Sequence, residues 1–146
     1  MPIIHDAAYR AQVLERVKTL RPDSNRRWGK MTVDQMLWHV SDAMALSIGD
    51  LTVPPGKPPL PPALLKFIVL NLPWGKGNPT HPAFVATKSY DFAAEKARCL
   101  GLIEKISSMD LNGEWPDHPA FGKMTGAQVS KLHAKHLNHH LTQFGA

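Results

Sequence analysis

The stretch that most narrows what this chain can fold into is Lys131-Leu-His-Ala-Lys-His-Leu-Asn-His-His-Leu-Thr-Gln-Phe144. It holds four of the eight histidines, His133, His136, His139 and His140. Helical turns bring residues three and four apart onto one face. At about 100° per residue, Val129, Leu132, His133, His136, His140 and Phe144 share one stripe, with His139 on its flank. The stripe that should face a core is therefore half imidazole. A buried neutral imidazole needs partners for both ring nitrogens, and a metal ion supplies one of them.

Three further segments carry the same period. Residues 6–20 repeat apolar positions at Ala7, Ala11, Leu14, Val17 and Leu20, and Arg21-Pro22 ends the pattern. Thr32-Val-Asp-Gln35 has the form of a capping box and opens a second helix that runs to Ile48 and stops at Gly49. Its face through Met36, His39, Ala43 and Leu46 is apolar but for one histidine, with Gln35 and Asp42 beside it. Residues 89–109 form a third main helix, striped by Phe92, Ala93, Leu100, Ile103 and Ile106. Thr125-Gly-Ala-Gln128 is a second capping box, opening the histidine helix that Gly145 closes. No period-two alternation of useful length and no hairpin turn between apolar runs appears. Four main helices of similar length predict an all-α, antiparallel four-helix bundle as one domain over 1–146.

Between the second and third main helices lies a Pro-rich insertion. Residues 53–62 hold six of the thirteen prolines and exclude regular helix or central strand. Residues 63–72 suit a short apolar helix ended by Pro73, and 74–88 read as loop with Gly75, Gly77 and Pro79 as breakers. Two short sequences recur. Trp28-Gly-Lys-Met-Thr32 with Gln35 echoes Phe121-Gly-Lys-Met-Thr125 with Gln128, and His81-Pro-Ala-Phe84 echoes His118-Pro-Ala-Phe121. The first pair reads as helix starts and the second as packing turns.

The 146 residues suffice for one hydrophobic core. A single cysteine, Cys99, excludes an internal disulfide framework and favours a reducing cytoplasm. No signal-peptide pattern and no apolar run long enough for a bilayer is present. A net charge of +5 raises nucleic acid as a partner, but the basic residues are scattered, with only Arg26-Arg27 adjacent, which favours a solvated basic surface. No nucleophile elbow surrounds Ser41, Ser47 or Ser130, and no phosphate-binding glycine loop occurs.

The chemistry concentrates in the histidines. His136 and His140 stand one turn apart, the spacing of helix-borne zinc pairs. His39, on the apolar face of another helix, supplies a third imidazole, and bundle cores build metal sites from facing side chains in this way. Three histidines leave a coordination position for water, substrate or a thiolate, the open form of a catalytic site. His133 is the rival ligand, His139 sits at the stripe's edge, solvated or bonded to an acidic neighbour, and Asp42 and Gln35 are candidates to hold a ligand's second ring nitrogen. The expected cofactor is a divalent ion, with Zn²⁺ ahead of Ni²⁺ or another. The function expected is a metal-dependent transferase or hydrolase; the alternative is a non-catalytic, metal-stabilised stress or ligand-binding protein.

At Trp28-Gly-Lys-Met-Thr32, Gln35-Met-Leu-Trp-His39, His118-Pro-Ala-Phe-Gly122 and His136-x-x-x-His140-x-x-Gln143-Phe-Gly145, the chain resembles the DinB/YfiT-like superfamily of metal-dependent proteins, and within it an uncharacterised bacterial branch. The resemblance implies a four-helix bundle with a metal site at His39, His136 and His140, and a homodimer. It also implies a small-molecule substrate, since some members are S-transferases using low-molecular-weight thiols such as bacillithiol, mycothiol or glutathione. The commoner form of the family has arginine directly after the last histidine, where this chain has Leu141.

Overall fold

The computed structural model of the chain describes residues 2–78 and 80–146; Pro79, expected as a breaker, lies outside the described residues. Five α-helices follow in order: α1 (Ala7–Thr19), α2 (Val33–Ser47), α3 (Pro62–Asn71), α4 (Phe92–Ser108) and α5 (Gly126–Gln143), with a 3-10 turn at Pro82–Phe84 between α3 and α4. No strand occurs among the described residues.

The helix starts follow the local chemistry. Asp6 accepts from the Tyr9 N–H at 3.1 Å and opens α1. Gln35 Oε1 reaches back to the Thr32 N–H at 3.0 Å, and Gln128 Oε1 to the Thr125 N–H at 3.0 Å, so each start has an orphan donor satisfied. In both echoed segments the glycine before the box, Gly29 and Gly122, has positive φ (81° and 70°), a conformation that side chains with a Cβ resist. The third main helix begins later than its periodicity suggested. Asp91 caps it by accepting from Ala94 N–H at 2.8 Å, while Tyr90 N–H donates to Asp34 on α2, which holds Tyr90 outside the helix.

Helices α1, α2, α4 and α5 enclose the core. The closest packing is between α2 and α4; α1 lies against α4 and α5, and α5 also touches α2. Met36, Leu37, Val40, Met44, Ile103, Ile106, Leu137 and Leu141 are all buried to within 1%, each contributing about 1.5–3 kcal/mol by leaving water. Leu141, directly after the last of the three candidate ligand histidines, is thus a core residue. Among the described residues, no helix is long and apolar enough to cross a membrane.

The helix α3 rests on the outside of α5, with Leu70 its one buried residue. Its last carbonyls have no partner within the helix. Lys135 of α5 donates to Val69 O and Leu72 O, and Trp74 Nε1 donates to Val69 O at 2.8 Å. Those bonds bring Trp74 down over α5. The Pro-rich stretch is tied in by His81. Its Nδ1 accepts from Ala83 N–H at 3.0 Å, so Nε2 carries the proton and donates to Pro54 O at 2.9 Å.

Cys99 is fully buried on α4, and burial pushes its thiol up to about 12. Thiolate is the reactive form, so the native chain is expected to resist a thiol-alkylating reagent at pH 8 and to take up one equivalent once unfolded. Stoichiometric labelling without denaturant, followed by mass spectrometry, contradicts this placement.

Candidate metal centre

Three imidazoles meet where α2 faces α5. His39 and His140 are buried, 6% and 8% exposed, and His136 is half-buried between them. His39 Nε2 lies 2.9 Å from His136 Nε2, which lies 3.1 Å from His140 Nε2. The ring centroids are 4.7–4.9 Å apart and the planes steeply inclined. One ligand atom from each of the three lies within 4.8 Å of the others, so the group can hold a metal ion.

The outer nitrogens decide which way the lone pairs point. His39 Nδ1 is 2.8 Å from the Phe84 carbonyl, which can only accept, so it carries a proton there. His140 Nδ1 is 2.7 Å from Gln143 Oε1, and Gln143 Nε2 donates to the Trp28 carbonyl at 2.9 Å, which fixes the amide with its oxygen toward the ring. Both histidines therefore turn an Nε2 lone pair inward. His136 has one Nε2 proton at most and can satisfy only one of them. At least one inward lone pair faces another nitrogen with no hydrogen between, and a cation removes that conflict.

The spacing is close to that of an ion site. Two nitrogens each about 2.0–2.1 Å from a tetrahedral zinc lie roughly 3.3 Å apart, a few tenths of an ångström beyond the two separations His136 makes. Burial lowers the pKa of all three rings. The effect on His39 is partly opposed by its bond to Phe84; His140 falls to about 3, and neighbouring imidazoles push His136 further down. Each ring is neutral at pH 7, the form that binds metal.

The remaining histidines lie elsewhere. His133, the rival, is 1% exposed, with Nε2 at 2.7 Å from Ser47 Oγ, and is not in the cluster. His139 packs edge-on against Trp28 and tilted against Trp74, with centroids 5.7 and 5.6 Å away, where a solvated ring or an acidic neighbour was the expectation. His5 pins the N-terminus by bonding Ser130 Oγ and Met109 O. His81 and His118 cap their own turns.

Neither Asp42 nor Gln35 bonds a ring nitrogen. Asp42 accepts from Arg98 at 2.7 Å, and Gln35 Nε2 donates to Lys88 O. The groups that do orient the rings are the Phe84 carbonyl and Gln143. Gln143 was detectable in principle, three residues beyond His140 on the same helix; a main-chain carbonyl leaves no side-chain signal. Trp74 adds a roof, 5.8 Å from the His136 ring.

Because groups orienting a ligand histidine change metal affinity by 10–100-fold, Gln143→Leu is expected to weaken metal binding by about that factor while the fold persists. Competition with a chromophoric chelator measures it, and parental affinity in the variant removes Gln143 from this role.

A family model described as a protein of unknown function (DUF1569) matches residues 7–146. No curated protein and no solved structure matches the chain.

Proposed function

We propose, for a chain that belongs to the DUF1569 family of proteins of unknown function, a metal-dependent enzyme whose divalent ion is held by His39, His136 and His140. The observation that carries this reading is the outward proton on Nδ1 of both His39 and His140, which leaves their Nε2 lone pairs convergent on His136. When bound, such an ion supplies Lewis acidity toward the position that three protein ligands leave open. The chain's own contributions are orientation and shelter. The Phe84 carbonyl and Gln143 hold two rings in one tautomer, and Trp74 covers the third.

The reaction class we favour is group transfer or hydrolysis on a small molecule, including transfer to a low-molecular-weight thiol, with zinc ahead of nickel as the ion. The helices α1, α2, α4 and α5 are then the four members of an antiparallel bundle of the DinB/YfiT type, with α3 as an addition. In the same reading the protein is a cytoplasmic homodimer. The outer face of α3 supports a partner, since Phe67 and Leu64 are 59% and 46% exposed.

A second reading has its own support. The proposed ligands come from two helices, with His39 and His136 97 positions apart in sequence, so an ion there also staples α2 to α5. Metal analysis and titration with Co²⁺ test the centre itself: one equivalent with a tetrahedral visible spectrum is the expected result, and no saturable binding removes both readings. Chelation then separates them. A chain that keeps its fold after chelation supports the enzyme, whereas one that unfolds supports the staple.

A further inference from the structure

Beside the histidine cluster is a cavity of about 290 Å³, near the lower end for small-molecule sites. Trp28, Trp74, His139, Tyr9, Lys135 and Asn138 are among its walls. Two of these connect it to the cluster. Trp74 also covers His136, at 5.8 Å between rings, and His139 packs against His140 at 5.0 Å. The cavity is therefore adjacent to the centre, through a shared aromatic wall.

Two indoles with an imidazole between them would, taken alone, suit a cation. Here both indoles already have one. The Lys76 ammonium lies 4.6 Å from the Trp28 ring centroid, and that of Lys135 lies 5.3 Å from Trp74. No Asp or Glu lines the cavity, and neither lysine is ion-paired among the described residues. A second cation would meet like charge at close range, which outweighs one cation–π contact.

Two polar groups of the wall have N–H groups to offer. Lys135 uses two of its three N–H groups on Val69 O and Leu72 O, leaving one. Arg16 takes Asn138 Oδ1 at 2.8 Å, which leaves the Asn138 amide N–H groups. Aromatic walls, one ammonium group in the wall with a second over Trp28, spare donors and no carboxylate fit one ligand chemistry.

We propose that this cavity binds a small anion with a planar apolar body, its ring against the Trp28 and Trp74 indoles and its charge toward Lys76 and Lys135. In combination with the proposed metal centre, this names the substrate class. The inference rests on that reading only for the ligand's place in catalysis, since the charge preference follows from the cavity alone.

Three probes of one shape test it: phenylacetate, phenylacetamide and phenethylamine, added to chelator-treated protein and followed by calorimetry and ligand-observed NMR. Removing the metal first prevents the carboxylate from being held by an ion. Phenylacetate is expected to bind at least about tenfold tighter than phenethylamine, a difference of about 1.4 kcal/mol, with the amide between. Lys76→Met, at an exposed position, is expected to narrow that gap several-fold, and Trp74→Ala to weaken all three probes. The double variant His136→Ala with His140→Ala is expected to keep the order of the probes.

An order that persists in a protein with no metal site sustains the cavity and removes only the catalytic reading. Absent phenylacetate binding, equal binding of the three, or tighter binding of phenethylamine overturns the inference, whatever the metal analysis gives. So does phenylacetate affinity unchanged by both Lys76→Met and Trp74→Ala.

Discussion

Replacing His136 and His140 together by alanine is expected to lower bound zinc from about one ion per chain to a small fraction of that. The two residues supply two of the three convergent nitrogens, and His39 alone is an ordinary single imidazole. The loss also has a stability readout. At free metal 1,000 times its dissociation constant, a bound ion adds about 4 kcal/mol to the native state, which corresponds to roughly 10 °C in Tm for a chain of this size. The parent should show that rise on adding zinc, and the double variant should not. His133→Asn is the control. It lies one turn before His136 but outside the cluster, bonded to Ser47, so its metal content should equal the parent's. Parental stoichiometry in the double variant, measured by elemental analysis after desalting, would place the ion elsewhere. Loss of metal in His133→Asn would restore His133 as a ligand.

The second large effect is on acid stability of the metal-free chain. Burial lowers His133 to about 3 and half-buried His118 to about 4, against 6.5 in the unfolded chain. Between those values the unfolded state holds protons that the native state refuses, so stability is complete above about pH 6.5 and falls as the pH drops toward 3. For His133 the full window is worth about 5 kcal/mol, from roughly 1.4 kcal/mol per pH unit. Urea unfolding of chelator-treated protein at pH 7, 6, 5 and 4 should give a falling free energy, and His133→Asn should flatten that fall by up to one proton's slope. An unchanged slope in His133→Asn would show that this histidine does not titrate on unfolding. Metal-loaded protein should lose stability over the same range with an added drop as the ligands compete for protons.

Much of the helical layout was legible because its signals are local. A capping box lies within four residues and an apolar stripe within four turns, so α2 and α5 were found with their starts at Thr32 and Thr125. The later start of α4 was hidden because the bond that holds Tyr90 outside the helix comes from Asp34, 56 positions away. The surroundings of the cluster were less legible for the same reason. Asp42 was a reasonable candidate for orienting His39 by spacing on α2, yet Arg98 from α4 reaches it first. The group in its place is a carbonyl from the 3-10 turn, braced through His81 by the Pro-rich stretch. His139 was read as an edge residue from its angle on α5; the indoles that enclose it arrive from two separate loops.

By itself the sequence determined an all-helical chain, a helix with two imidazoles one turn apart, and a third imidazole on another apolar face. Helical period and capping depend on neighbours a few residues away, and those are written consecutively. Only the tertiary structure decided that His39 meets His136 rather than His133, that the Phe84 carbonyl sets the tautomer of His39, and that Trp74 covers the centre. Each of these is a meeting of segments far apart in the chain, or a contact made by a backbone atom that every residue has, so no spacing along the sequence could encode it.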